Sequence, residues 1–324
     1  MPIMDRLDPQ LAAVVAQLPA TDLSDIPAAR TALAQTVARF STAEPSPAID
    51  RSDHRAPGTP GHPDVLLRVF RPAAADGALP CLYWIQGGGF VLTKADLDDQ
   101  YCEALAERHG CVVISVDWRR APEHPFPAAA EDCYAGLAWA LRNAAWLAID
   151  PARVVIGGYS SGGGLTAALA LLARDRRELA VAHQLLIYPM LDDTNSTPSS
   201  HAVTDPQVWN RASNQIAWHS YLGGAREAGS VSPYAAPARA EDLSGLPPAT
   251  VLTGELDLFA DEDILYAQRL MHAGVTTELH VYPAAHHGFD RQAPSATVSR
   301  RFIADRDAAL RRAFAKTPLS APAS

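Results

Sequence analysis

No segment of this 324-residue sequence reaches the about 18 uninterrupted apolar residues of a membrane-spanning helix, so no membrane contact is expected. No basic run is present either. With a formal charge of −9 the chain lacks the Lys/Arg footprint that a phosphate backbone requires, and no nucleic-acid partner is expected. The opening MPIMDRLDPQLAAVVAQLPA places Asp5 and Asp8 before a short apolar stretch broken by Gln17. It has neither the basic leader nor the unbroken apolar run of a secretion signal, which points to a cytoplasmic protein. Cysteine is scarce. Cys81, Cys102, Cys111 and Cys133 are widely spaced, with no C-x-x-C pair and no histidines at zinc-site spacing, so buried reduced thiols are expected and a metal site is not. Internal repeats are also missing.

What is present is a composition of 48% hydrophobic and 19% charged residues, ordinary for a soluble globular protein. From Val65 onward, short runs rich in β-branched residues alternate with longer Ala/Leu stretches, the pattern of β-α units on a mostly parallel sheet. Strands are predicted at 65–70, 81–85, 111–116, 153–158, 183–188, 249–253 and 278–282, and helices near 96–109, 127–147, 162–174, 261–273 and 297–314. Gly110 and Gly274 read as helix stops. Residues 54–63, HRAPGTPGHP, read as a turn leading into the sheet. Two segments break the alternation: residues 1–45, with two amphipathic helices and no strand, and residues 191–230, where a Ser/Thr/Asn/Pro-rich loop runs into a helix-like stretch. Both are expected to form a discontinuous helical cap over a core supplied by residues 46–190 and 231–324.

The run RVVIGGYSSGGGLTAALALL is an apolar strand, a glycine-rich turn and a helix in immediate succession. It contains Gly158-Tyr159-Ser160-Ser161-Gly162, a G-x-S-x-G in the strand-turn-helix setting that lets a serine stand on a sharp, strained turn. Ser161 is the rival nucleophile. Choosing it would put Tyr159 two residues before the nucleophile, where a large side chain collides with the turn, so Ser160 is preferred. The run lacks the lysine of a phosphate-binding loop.

A second strand, CLYWI, ends in Gln86-Gly87-Gly88-Gly89. Glycines leave backbone N–H groups uncovered, and the amides of Gly88 and Gly89, with that of Ser161, suit an oxyanion hole. A serine hydroxyl also needs an imidazole to take its proton. His287 and His286, in AAHHGFD after the last strand, are nearly equal candidates by spacing, with Gly288 leaving room beside His287. The orienting acid should lie between serine and histidine. Asp257 follows an apolar strand there; Asp261, Glu262 and Asp263 open the next helix, where the helix dipole accounts for them, and Glu255 is a weaker candidate. Phe90, Trp209, Leu258 and Phe289 are candidate substrate-lining residues.

With these residues placed, the chain from Val65 to Phe289 resembles the hormone-sensitive-lipase-like esterases, or bacterial lipolytic family IV. DWRRAPEHPFPAA (117–129) is similar to that family's Y-R-L-A-P-E-H-P-F-P-A segment, and SPYAAP (232–237), DLSGLPPA (242–249) and HGF (287–289) are similar too. The resemblance implies a capped α/β-hydrolase fold, no cofactor, short- to medium-chain carboxylic esters as small-molecule substrates, and a homodimer as a possible assembly. It aligns the family's HGF and D-P-L segments with His287 and Asp257. Three positions depart from the pattern: Gln86 replaces the histidine of H-G-G-G, Tyr159 stands where a small residue is usual, and Leu258 replaces the proline of D-P-L. The function expected is a serine carboxylesterase working through an acyl-enzyme. The alternatives are an acyltransferase, amidase or lactonase on the same scaffold, or a receptor that has kept only the pocket.

Overall fold

The β-branched runs from Val65 onward assemble into one sheet. The structure, a computed structural model, describes residues 3–20, 22–40, 44–225, 228, 229 and 231–315. In chain order the longer elements are α1 (Pro9–Val15), α2 (Ile26–Phe40), β1 (Ile49–Ala56), β2 (Val65–Pro72), β3 (Leu79–Ile85), α3 (Asp99–His109), β4 (Val112–Asp117), α4 (Ala128–Arg142) and β5 (Ile149–Tyr159). They continue with α5 (Ser161–Arg176), β6 (His183–Ile187), α6 (Pro198–Ala202), α7 (Arg211–Leu222), β7 (Ala249–Gly254), α8 (Ala260–His272), β8 (Thr277–Tyr282), α9 (Phe289–Gln292) and α10 (Thr297–Ala315).

The sheet has eight strands in the order β1-β2-β4-β3-β5-β6-β7-β8. β1 and β2 are antiparallel, and every pairing from β4 through β8 is parallel. Parallel strands need helices on both faces, and the side chains divide accordingly. Cys81, Tyr83 and Ile85 of β3 join one core layer with residues of α4, α5 and α8, while Leu82 and Trp84 join the other with residues of α3 and α10. All four cysteines are free and buried, two in each layer. Gly110 caps α3 in the left-handed conformation, and Gly274, at φ 80°, follows the last turn of α8. No helix among the described residues is long and apolar enough to cross a membrane.

β1 was not anticipated from sequence. Only its end residues Ile49 and Ala56 are buried, so this edge strand carries no apolar alternation to read. β5 is also longer than the apolar run within it, because Ile149 pairs with Leu79 before the main ladder begins.

Helix α2 is fastened to the core through Arg30. Its Nε donates to the Val91 carbonyl at 2.6 Å, its Nη2 donates to the Ala121 carbonyl at 2.8 Å, and Glu123 accepts from Nη1 at 2.6 Å. Hydrogen bonding to Arg30 holds the Glu123 carboxyl down at about 2, against an ordinary 4.5. A depressed carboxylate stabilises the fold above its unfolded pKa, and that contribution disappears as pH falls through the folded value. Glu123 is 53% exposed, so solvent screens the pair and its contribution is small. Chemical denaturation of the wild type and Glu123→Gln should therefore show the wild type more stable at neutral pH, with the gap closing between pH 4.5 and about 2. A gap unchanged across that window would show that the pair contributes nothing.

Candidate active site

Strand β5 delivers Ser160 to the carboxyl edge of the sheet, and α5 begins at the next residue. The Ser160 backbone adopts φ 56°, ψ −125°, a conformation that L-residues seldom occupy. Three bonds hold it there: Ser160 N–H donates to the Ile187 carbonyl at 2.9 Å, and the Ser160 carbonyl accepts from the amides of Gly164 and Met190, both at 3.0 Å. The turn is tight enough to require glycine on both sides. A Cβ on Gly158 would lie 2.4 Å from the Ile85 carbonyl oxygen, and one on Gly162 would lie 2.1 Å from that same atom.

Ser160 Oγ lies 2.9 Å from His287 Nε2, and His287 Nδ1 lies 2.8 Å from Asp257 Oδ2. A carboxylate accepts, so the proton belongs on Nδ1 and the Nε2 lone pair faces the serine hydroxyl. Asp257 is fully buried, and its Oδ1 accepts the Phe259 amide at 2.9 Å, which fixes the carboxylate's orientation. Tyr188 and Phe259 meet the His287 ring edge-on, with centroids at 4.7 and 5.1 Å. The structure thus brings together Ser160, His287 and Asp257 from the ends of three different strands.

The rival residues lie elsewhere. Ser161 is buried with its hydroxyl unpartnered among the described residues. His286 turns inward, its Nδ1 donating to the His287 carbonyl at 2.9 Å, and burial holds its pKa below the ordinary value. Glu255 accepts from Arg6 at 3.0 Å and from the Ala284 amide at 2.9 Å, bracing a loop rather than facing the imidazole.

The glycine loop follows β3. Gly88 at φ 116° and Gly89 at φ 58° turn the chain so that their amides have no acceptor among the described residues. The Ser161 amide opens α5, where the first N–H groups have no acceptor within the helix. Neither glycine tolerates a side chain: a Cβ on Gly88 would sit 2.5 Å from Thr93 Oγ1, and one on Gly89 2.2 Å from the Trp209 ring. Thr93 Oγ1 donates to the Gly87 carbonyl.

A cavity of about 300 Å³ opens over Ser160 and His287. Leu33 and Val37 of α2 line one side with Leu92 and Leu97, and Gln207, Val208 and Trp209 close another. Of the four lining residues expected from sequence, Trp209 is present and Phe90, Leu258 and Phe289 are not among the cavity's walls. Phe90 stacks on Tyr221 at 3.9 Å, Leu258 is fully buried, and Phe289 packs on Phe302 at 5.3 Å in the core. Leu33 and Val37 were missed because amphipathic periodicity marks a buried face without saying what lies opposite it, and Val208 because it sits in the turn before α7, where no periodicity operates. Among the described residues no group of three His, Cys, Asp or Glu side chains could hold a metal ion.

Residues 82–291 match the profile of a protein family described as having the alpha/beta hydrolase fold. The chain is 37% identical over 241 residues to the carboxylesterase NlhH of Mycobacterium tuberculosis, covering 74% of this chain and 75% of that one. The chain belongs to the α/β-hydrolase family, in its hormone-sensitive-lipase-like branch. Among solved α/β-hydrolase structures, a bacterial heroin esterase superposes with a TM-score of 0.93 at 40% identity, covering 97% of this chain and 99% of its own. A hyperthermophilic esterase from the archaeon Pyrobaculum calidifontis superposes with a TM-score of 0.85 at 34% identity, covering 96% and 99%.

The two adjacent histidines can be told apart by experiment. His287→Asn should lower kcat on the order of 10⁶-fold, as removal of a triad histidine does elsewhere. His286→Asn removes one hydrogen bond and should cost no more than about tenfold. Steady-state kinetics with a chromogenic ester decides, and the reverse ranking would exchange the two roles.

Proposed function

We propose that this carboxylic-ester hydrolase cleaves short- to medium-chain carboxylic esters through an acyl intermediate on Ser160. The reading is supported above all by the continuous hydrogen-bond chain from Ser160 Oγ through His287 to Asp257, at 2.9 and 2.8 Å. In this mechanism Ser160 Oγ attacks the ester carbonyl carbon while its proton passes to His287 Nε2. The carbonyl oxygen becomes an oxyanion held by the Gly88, Gly89 and Ser161 amides, each contributing on the order of 3 kcal/mol in the transition state. Collapse breaks the bond to the leaving oxygen, which takes the proton from Nε2 and departs as the alcohol. Water then attacks the acyl group with His287 again as base, and the acid leaves.

Asp257 holds the imidazole in the required tautomer and stabilises the imidazolium that forms during each attack. The acyl-length preference is supported by the cavity itself, which at about 300 Å³ and with Leu33, Val37, Leu92 and Val208 on its walls suits a small apolar chain. Residues 1–45 and 191–230 act in this reading as the cap, since α2 and the stretch before α7 supply those walls.

Ser160→Ala should lower kcat by about 10⁶-fold. Wild-type protein treated with a fluorophosphonate should gain the phosphonyl group, the reagent's mass less that of HF, on the peptide containing Ser160. Chromogenic acetate, butyrate and hexanoate should be cleaved faster than laurate or palmitate. Retained activity in Ser160→Ala would overturn the mechanism, and a preference for palmitate would overturn the substrate class alone.

A further inference from the structure

The family histidine before the glycine loop is Gln86 here, and its side chain contributes no hydrogen bond. Both of its amide atoms are buried without a partner among the described residues. The loop is instead in contact with Tyr159, the residue immediately before the nucleophile. A Cβ on Gly87 would meet Tyr159 Cε2 at 2.6 Å and Cδ2 at 2.7 Å, so the phenol ring packs directly under the first glycine of the loop. From another side the Arg291 guanidinium lies 4.4 Å from the centre of that ring, a cation–π contact.

The same side chain also reaches the loop's far end. Tyr159 Oη donates to Asp98 Oδ1 at 3.3 Å, and Asp98 closes the short 3-10 turn Ala95–Asp98 in which the segment after the glycines ends. Asp98 is 2% exposed and accepts from two further donors: Arg291 Nη2 at 2.6 Å and Trp84 Nε1 at 3.1 Å. Burial pushes the Tyr159 phenol's pKa upward, which keeps it protonated as the donor this carboxylate needs.

We propose that Tyr159 is a positioning residue for the oxyanion loop: its ring under Gly87 and its hydroxyl on Asp98 hold the Gly88 and Gly89 amides in register with Ser160, the support that the side chain at position 86 does not give. The inference rests on the serine-esterase reading above. Tyr159 also lines the cavity over Ser160, but its proposed effect runs through the amides it holds, so its loss should weaken interactions made in the transition state more than ground-state binding.

Two rates test this: turnover of p-nitrophenyl acetate, and the second-order rate of Ser160 phosphonylation by a fluorophosphonate, whose phosphoryl oxygen occupies the oxyanion position. Tyr159→Ala should lower both in parallel by about 10²-fold, the scale of a displaced oxyanion donor, with KM within about threefold of wild type. Tyr159→Phe keeps the ring and loses one hydrogen bond, so both rates should fall on the order of tenfold, in a protein that still unfolds cooperatively and loses no more stability than one hydrogen bond contributes. If Tyr159→Ala fails to fold, Tyr159→Phe decides by the same rates. Rates within threefold of wild type in the folded variants, or a fall in kcat matched by a rise in KM with phosphonylation unaltered, would overturn the proposal. Wild-type protein that is not phosphonylated at Ser160 would overturn the serine reading and this inference with it. A reactive wild type with equally reactive variants would overturn this inference alone.

Discussion

The left-handed backbone of Ser160 is the constraint around which the site is built. Holding a non-glycine residue at φ 56° costs about 1–3 kcal/mol, and three backbone hydrogen bonds of about 1 kcal/mol each offset it. Those bonds come from Ile187, Gly164 and Met190, so the end of β6, the first turn of α5 and the loop after β6 all depend on the same peptide. The close approach of Gly158 and Gly162 to the Ile85 carbonyl ties β3 into the arrangement as well. Because β3 also leads into the glycine loop, the hydroxyl and the loop amides are placed by one set of contacts.

The acid loop is braced from outside the core. Ser199 Oγ, at the start of α6, donates to the Leu258 carbonyl at 2.8 Å, and the Ser199 amide donates to Asp261 at 2.7 Å. Glu262, buried and with its carboxyl pushed well up by burial, accepts the amides of Leu191 and Asp192 at 2.8 and 3.1 Å. Thus the segment that enters the cavity wall near Trp209 also steadies the residues flanking Asp257. The cavity wall and the loop that carries Asp257 are joined through α6 by the hydrogen bonds of Ser199.

Much of the fold was legible in the residues because parallel strands buried on both faces are predominantly apolar, as the runs in CVVISV and HQLLIY are despite Ser115, His183 and Gln184. β1 escaped notice since an edge strand with solvent on most of its side chains has no such signature. Steric reasoning separated Ser160 from Ser161, because a tyrosine at the position of Gly158 would strike the Ile85 carbonyl. Spacing could not separate His286 from His287. Which imidazole faces the serine is decided by the turn at Ala284 and Gly288, both at positive φ, and adjacent residues in such a turn point opposite ways. Phe90, Leu258 and Phe289 pack in the interior instead, where an apolar side chain next to a functional residue is indistinguishable by sequence from one lining the cavity. The cavity's apolar wall was illegible because Leu33 and Val37 lie over a hundred residues before Ser160, and only tertiary packing brings them above it.

The placement of the four thiols has a practical consequence. Cys81 and Cys133 lie in one core layer and Cys102 and Cys111 in the other, all fully enclosed, and burial raises the pKa of each. An alkylating reagent reaches them only when the layer containing them opens, since the thiolate is the reactive form and none is presented to solvent. The native chain therefore carries two pairs of internal reporters, one on each side of the sheet. Peptide mapping of the modified cysteines would reveal which side loosens first, with no engineered label.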